Sequence, residues 1–151
     1  MGPETRSGTF AVELTVVLLC SLGLKKIVLE DEATLDPGAS LLFIRIFQGK
    51  FSSWYESFGF EPEHSVLDGE ETDPEEPVID KAEFLRLANS LYSFPLSRGK
   101  LGETMIRIWS FDKNAYGSMF GVLKQHPTIG PLIKKIELFK DRSRYVKMCR
   151  R

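Results

Sequence analysis

The first sixty positions change hydrophobic period twice. Over residues 9–23, Val12, Val16, Leu19 and Leu22 recur at helical spacing, while Val17, Leu18 and Leu24 fill other sides. A helix apolar on most faces predicts burial against a sheet. Thr9 is a suitable cap, because its hydroxyl accepts from an unpaired first-turn N–H. Gly23 suits the left-handed residue that ends a helix. Residues 25–31 then read as a strand in which Ile27 and Leu29 alternate with Val28 and Glu30. Asp36-Pro37-Gly38 has turn chemistry. Residues 39–47 return to helical spacing through Leu42 and Ile46. Gly49 interrupts, and 51–58 reads as a further helical segment stopped by Gly59.

The second half begins after a polar stretch. Asp80 suits the cap of a helix over 81–92, in which Phe84, Leu87, Ala88 and Leu91 repeat at helical spacing. Pro95 and Gly99 break the chain. Residues 104–109 alternate and read as a strand. A helix over 112–125 carries two glycines, Gly117 and Gly121. A last helix is expected over 132–145, after Pro127, Gly130 and Pro131.

Charge changes this picture more than composition does. The chain has 151 residues, 42% hydrophobic and 27% charged, which suits one domain with a real core. A net charge of −1 argues against a molecule that binds nucleic acid by its overall charge. Yet residues 61–80 hold nine acidic side chains and no Lys or Arg, and residues 131–151 hold eight Lys or Arg. The first reads as an exposed loop, or as a lure for a basic partner. The second reads as a solvated helix with a basic tail, as a phosphate-contacting surface, or as a segment that folds back on the acidic loop.

Cys20 and Cys149 stand at opposite ends with no CxxC spacing, which predicts neither a disulfide framework nor a zinc site. Two such cysteines fit a reducing compartment, so an intracellular location, cytoplasmic or nuclear, is expected. The apolar run at 11–24 is interrupted by Glu13 and is short of the roughly 20 residues of a spanning helix, so no membrane partner is expected. The few charges before it and the lack of a small-x-small site after it do not suit a secretory signal. His64 and His126 are isolated, so no metal is expected.

The order helix, strand, turn and helix leads into Trp54-Tyr55-Glu56-Ser57-Phe58-Gly59-Phe60-Glu61. This segment resembles the aromatic-Tyr-Glu-x-x-Gly-Phe-Glu signature of the GNAT family of acetyl-CoA-dependent N-acetyltransferases. Over residues 1–60, Arg6-Ser7-Gly8-Thr9 stands where the family carries its coenzyme-binding turn. The resemblance implies that Arg6, Gly8 and Thr9 hold the coenzyme A pyrophosphate, since a helix N-terminus offers free donors and a positive dipole end. It implies that Tyr55 protonates the departing thiolate. It implies that Asp31 is the polar residue beside the thioester, with Glu30 or Asp31 available as a base through a water. It also implies that Gly59 ends the helix and that Phe60 starts the next strand and packs inward.

The chain departs from the family in the spacing of the coenzyme turn, in having no counterpart for its last 90 residues, and in what stands before the turn. Family members place about three or four strands before the coenzyme turn, and those strands are missing here. The fold class expected is therefore α/β or α+β, a mixed sheet flanked by helices and partly GNAT-like. It is a single domain over 1–151, with a GNAT-like helix–strand–helix half at 1–60, an acidic loop at 61–80, and a helical and strand segment at 81–151 with a basic C-terminus. Three functions are carried forward. The first is an acetyl-CoA-dependent N-acyltransferase, or a degenerate derivative, acting on an amine. The second is a non-enzymatic module that binds a protein partner on a truncated acetyltransferase-like fold. The third and weaker one is nucleic-acid binding through the basic C-terminus.

Overall fold

The computed structural model describes residues 3–30, 34–35, 39–64 and 79–149. Asp31, the expected turn at 36–38 and the acidic stretch at 65–78 lie outside the described residues. Helix α1 runs Pro3–Ser21, and Gly23 follows it with φ 94°, in the left-handed region that glycine adopts without strain. Strand β1 is Lys26–Glu30. Strands β2 (Thr34–Leu35) and β3 (Ala39–Ser40) form a small antiparallel pair. Helix α2 covers Leu41–Phe47, and the Ser40 hydroxyl caps it by accepting from the Leu42 N–H at 3.2 Å. A 3-10 turn occupies Trp54–Phe58, and β4 follows at Glu61–His64.

Helix α3 spans Lys81–Ser93. The Asp80 carboxylate caps it, accepting from the Glu83 N–H at 2.8 Å. A short hairpin of β5 (Pro95–Leu96) and β6 (Gly99–Lys100) leads into α4 (Leu101–Phe111). Helix α5 is Lys113–Gln125, with Asp112 accepting from the Asn114 N–H at 2.9 Å. Helix α6 is Ile129–Arg142, and strand β7 follows at once, Ser143–Met148.

Several elements differ from the sequence reading: the first four residues of the expected acidic loop at 61–80 are strand β4, and the helical segment expected at 51–58 is the 3-10 turn. The expected strand at 104–109 is part of α4. Its residues fit both periods, but Leu101, Met105 and Trp109 are spaced by four, and Leu101 and Met105 are buried. The last helix starts and stops earlier than expected. Pro131 sits in its first turn, where the missing N–H would have no intrahelical partner. The His126 imidazole Nδ1 accepts from the Thr128 and Ile129 N–H groups at 3.1 Å, which satisfies donors at that end. The residues after Arg142 are strand, and Tyr145 is buried in it.

The fold is mixed α+β, mostly helical, with small antiparallel sheets. The expected mixed sheet is an antiparallel one: β7 lies between β1 and β4 and runs against both. Val28 pairs with Val146, and Glu63 pairs with Arg144. Helices α2 to α6 build the main core around Phe43, Phe47, Phe84, Leu91 and Ile133. A smaller cluster of Ile27, Phe60 and Tyr145 joins the sheet to Val16, Leu19 and Cys20 of α1.

Candidate functional site

The expected helix start at Thr9 is replaced by Pro3, so Arg6, Gly8 and Thr9 lie inside α1 rather than in a turn ahead of it. In an α-helix only the first four N–H groups lack an intrahelical partner. Gly8 and Thr9 fall beyond them, which is a poor fit to a backbone cradle for a pyrophosphate. Asp31 lies outside the described residues.

The Trp54–Phe60 segment folds as its residue types require. The Ser53 N–H donates to Glu56 Oε2 at 2.6 Å and fixes the start of the 3-10 turn. Gly59 ends it with φ 90° in the left-handed region. Phe60 turns inward and is buried beside Ile27 and Tyr145, and β4 begins at the next residue. The Tyr55 ring is half-buried in this same cluster, tilted against Tyr145 with ring centroids 5.6 Å apart. Glu56 also pairs with the Lys81 ammonium, which ties the turn to the start of α3. Burial lowers the pKa of Lys81 from its ordinary value.

A cleft of about 560 Å³ opens between α1 and the β7–β4 side of the sheet, lined by Val16, Val17, Gly59, Glu61, Val146 and Lys147 among others. The Lys147 ammonium lies across Gly59, 2.5 Å from where a Cβ would stand. Tyr55 is not among the residues lining this cleft. The structure therefore gathers Tyr55 with Glu56 and Gly59, but leaves Arg6, Gly8 and Thr9 on a separate helix.

Cys20 and Cys149 form a disulfide, contrary to the sequence expectation, and clasp α1 to the end of β7. The two residues lie 129 positions apart, so spacing gave no sign of the pairing. Disulfides persist in oxidising surroundings, which removes the cysteine argument for a reducing compartment. Among the described residues no helix is long and apolar enough to cross a membrane, and no group of three or more His, Cys, Asp or Glu is placed to hold a metal.

The basic C-terminal residues are partly absorbed by the fold. Arg144 pairs with Glu63 on the neighbouring strand at 3.3 Å. The feature that sequence reasoning missed is the outer side of α1. Val12, Val16, Leu19 and Cys20 turn toward the protein, but Phe10 (66% exposed), Leu14, Val17, Leu18 and Leu22 (71%) face solvent. The expectation of full burial fails because the three-stranded sheet covers only one side of the helix. Leu24, Val28 and Met148 extend the exposed apolar surface onto the sheet.

Comparison with protein-family models gives no match, and neither curated proteins nor solved structures give one.

Proposed function

We propose that this protein is a protein-interaction module on an acetyltransferase-like unit, and that α1 with β1 forms its working surface. The observation that carries this reading is the exposed apolar face of Phe10, Leu14, Val17, Leu18 and Leu22. Folded chains rarely leave contiguous apolar patches of this kind uncovered unless a partner covers them. The GNAT-like character of the unit rests on the resemblance of the Trp54–Phe60 segment, and it is supported by Gly59 ending the 3-10 turn and by the inward Phe60, although the strand begins one residue later, at Glu61. The test places a photo-crosslinking residue at Leu18 and, as control, at Lys135 on the exposed side of α6. Discrete protein adducts from position 18 in cells, and none from 135, are expected. No adduct from position 18 sinks the reading.

A second reading, acetyl-CoA-dependent N-acylation of an amine with Tyr55 as the acid, is favoured by the same Gly59–Phe60 geometry. The placement of Gly8 and Thr9 inside α1 argues against the coenzyme turn, so no chemical step is derived through it. A coenzyme that binds only the folded state raises the unfolding midpoint. A clear rise with millimolar acetyl-CoA that survives in Tyr55→Phe, with turnover lost in that variant, supports the second reading. No rise rejects it. The basic C-terminus is the weakest basis for a function, because its strand portion is engaged with β4.

A further inference from the structure

We propose that the partner is a second copy of this chain, whose β1 pairs antiparallel with β1 about Val28 and extends the sheet across two molecules. This inference rests on the interaction reading above and names its partner.

The two edges of the sheet are unlike. The β4 edge reads Glu61-Pro62-Glu63-His64. A proline removes a ladder donor, and edge charges repel a neighbouring strand, so this edge is protected. The β1 edge reads Lys26-Ile27-Val28-Leu29-Glu30 and carries no proline and no bulge in its register with β7. Among the described residues no strand pairs with its other side. On that side its N–H and C=O groups have no strand partner among the described residues, and they flank three apolar residues, which is a template for pairing.

The sequence of β1 is complementary to itself when reversed. A two-fold axis through Val28 sets Val28 opposite Val28, Ile27 opposite Leu29, and Lys26 opposite Glu30 of the second copy, the last two each occurring twice. Opposite charges on facing positions favour a strand pair, and like charges oppose it. Sliding the register by two residues keeps the faces but loses both charge pairs. The pairing centred on Val28 keeps Ile27 and Leu29, which belong to the small core, on one continuous face.

The helix above the strand supplies apolar area beside the same edge. The cleft described above is lined by β7 and β4 residues and lies on one flank of α1, at Val16, Val17 and Cys20. At about 100° per residue, Leu18 and Leu22 fall on the opposite flank, toward the free edge of β1. Both are exposed, as is Leu24 in the link to the strand. A two-stranded contact alone is marginal in water. Leucines from both copies beside the axis add the burial that a stable pair needs.

Sedimentation or light scattering of the purified full chain, disulfide intact, over about 1 to 200 μM tests the proposal. The expected result is a mass that rises with concentration toward twice the monomer. Lys26→Glu and Glu30→Lys each place like charges opposite one another and raise the dimer Kd about tenfold or more. An equimolar mixture of the two variants, and the double variant Lys26→Glu/Glu30→Lys, restore the wild-type Kd. Circular dichroism checks that each variant folds. Val28→Lys, at an exposed position, sets two lysines face to face and is expected to give monomer without disturbing the core. A wild-type chain that stays monomeric overturns the proposal, as does failure of the mixture to restore pairing or a dimer that persists in Val28→Lys. Crosslinked adducts from position 18 to a different protein, with a monomeric purified chain, overturn this inference and leave the interaction reading standing. Absence of any adduct from position 18 sinks the interaction reading itself.

Discussion

The helical bundle and the α1–sheet layer hold themselves together in different ways. In the bundle, side chains from five helices meet in one core, and Phe84 stacks on Phe139 with ring centroids 4.5 Å apart. In the layer, the buried apolar residues are Ile27, Phe60 and Tyr145, and one face of α1 is open to solvent. The bundle relies on burial. The layer adds a covalent clasp, the Cys20–Cys149 disulfide, to a thin core. A segment that keeps apolar surface free for a partner has less of it to stabilise its own fold, and a cross-link that restricts the unfolded chain offsets that loss.

The largest expected effect breaks this clasp. Closing a loop of 129 residues corresponds to about 5 kcal/mol of stability on the chain-entropy estimate. Cys149→Ser is expected to lose a large part of that. The closed loop contains the whole bundle, so global unfolding becomes easier: hydrogen exchange should speed up in α3 and α6 by that loss, and further in α1 and β1, which the clasp also holds in place. Equal acceleration in all four elements would show that the two regions share one cooperative core.

The next two substitutions sharpen the contrast. Leu91 is fully buried in the bundle, so Leu91→Ala is expected to cost about 3 kcal/mol in denaturant unfolding. Leu18→Ala, on the open side of α1, should change stability by less than about 0.5 kcal/mol in the monomer. Equal costs would mean that α1 is packed in solution. Gly59→Ala falls between them. Its left-handed backbone costs an L-residue about 1 to 2 kcal/mol, and the flexible Lys147 side chain can move aside for the new methyl group. An unchanged unfolding midpoint would reject a left-handed Gly59.

What the sequence made legible follows the same division. The cap at Asp80 and the glycine stops at Gly23 and Gly59 are local signals, and they hold. The residues at 104–109 carried two periods at once, and only the packing of Leu101 and Met105 selects the helix. The pairing of β7 with β1 and β4, and of Cys20 with Cys149, joins positions far apart in the chain. Periodicity has no access to such contacts. The exposed side of α1 was hidden for the opposite reason. An all-round apolar helix reads as buried, and only the width of the sheet shows that one side has no cover. Of the expected site residues, Tyr55 sits in an organised segment. The turn expected at Arg6, Gly8 and Thr9 became helix because nothing in the residues before Thr9 stops it.

The remaining effect lies in the bundle and has the opposite sign. Tyr116 is fully buried among Phe47, Trp109 and Phe120, and its hydroxyl has no hydrogen-bond partner among the described residues. An unsatisfied buried donor costs about 1 kcal/mol or more. Tyr116→Phe keeps the ring and removes the donor, so it should stabilise the protein by about 1 kcal/mol. Burial also pushes the Tyr116 pKa well above its ordinary value. The folded state therefore keeps a proton that the unfolded chain releases near pH 10, and stability falls as pH rises past that point. The gain from Tyr116→Phe should be constant below about pH 9 and grow above pH 10, because the variant has no phenol to ionise at this position. Denaturant unfolding of both proteins at pH 7 and pH 10.5 measures the two gains. A destabilised variant at pH 7 would mean that the hydroxyl is bonded in solution, and that the bundle core is not as dry as its geometry indicates.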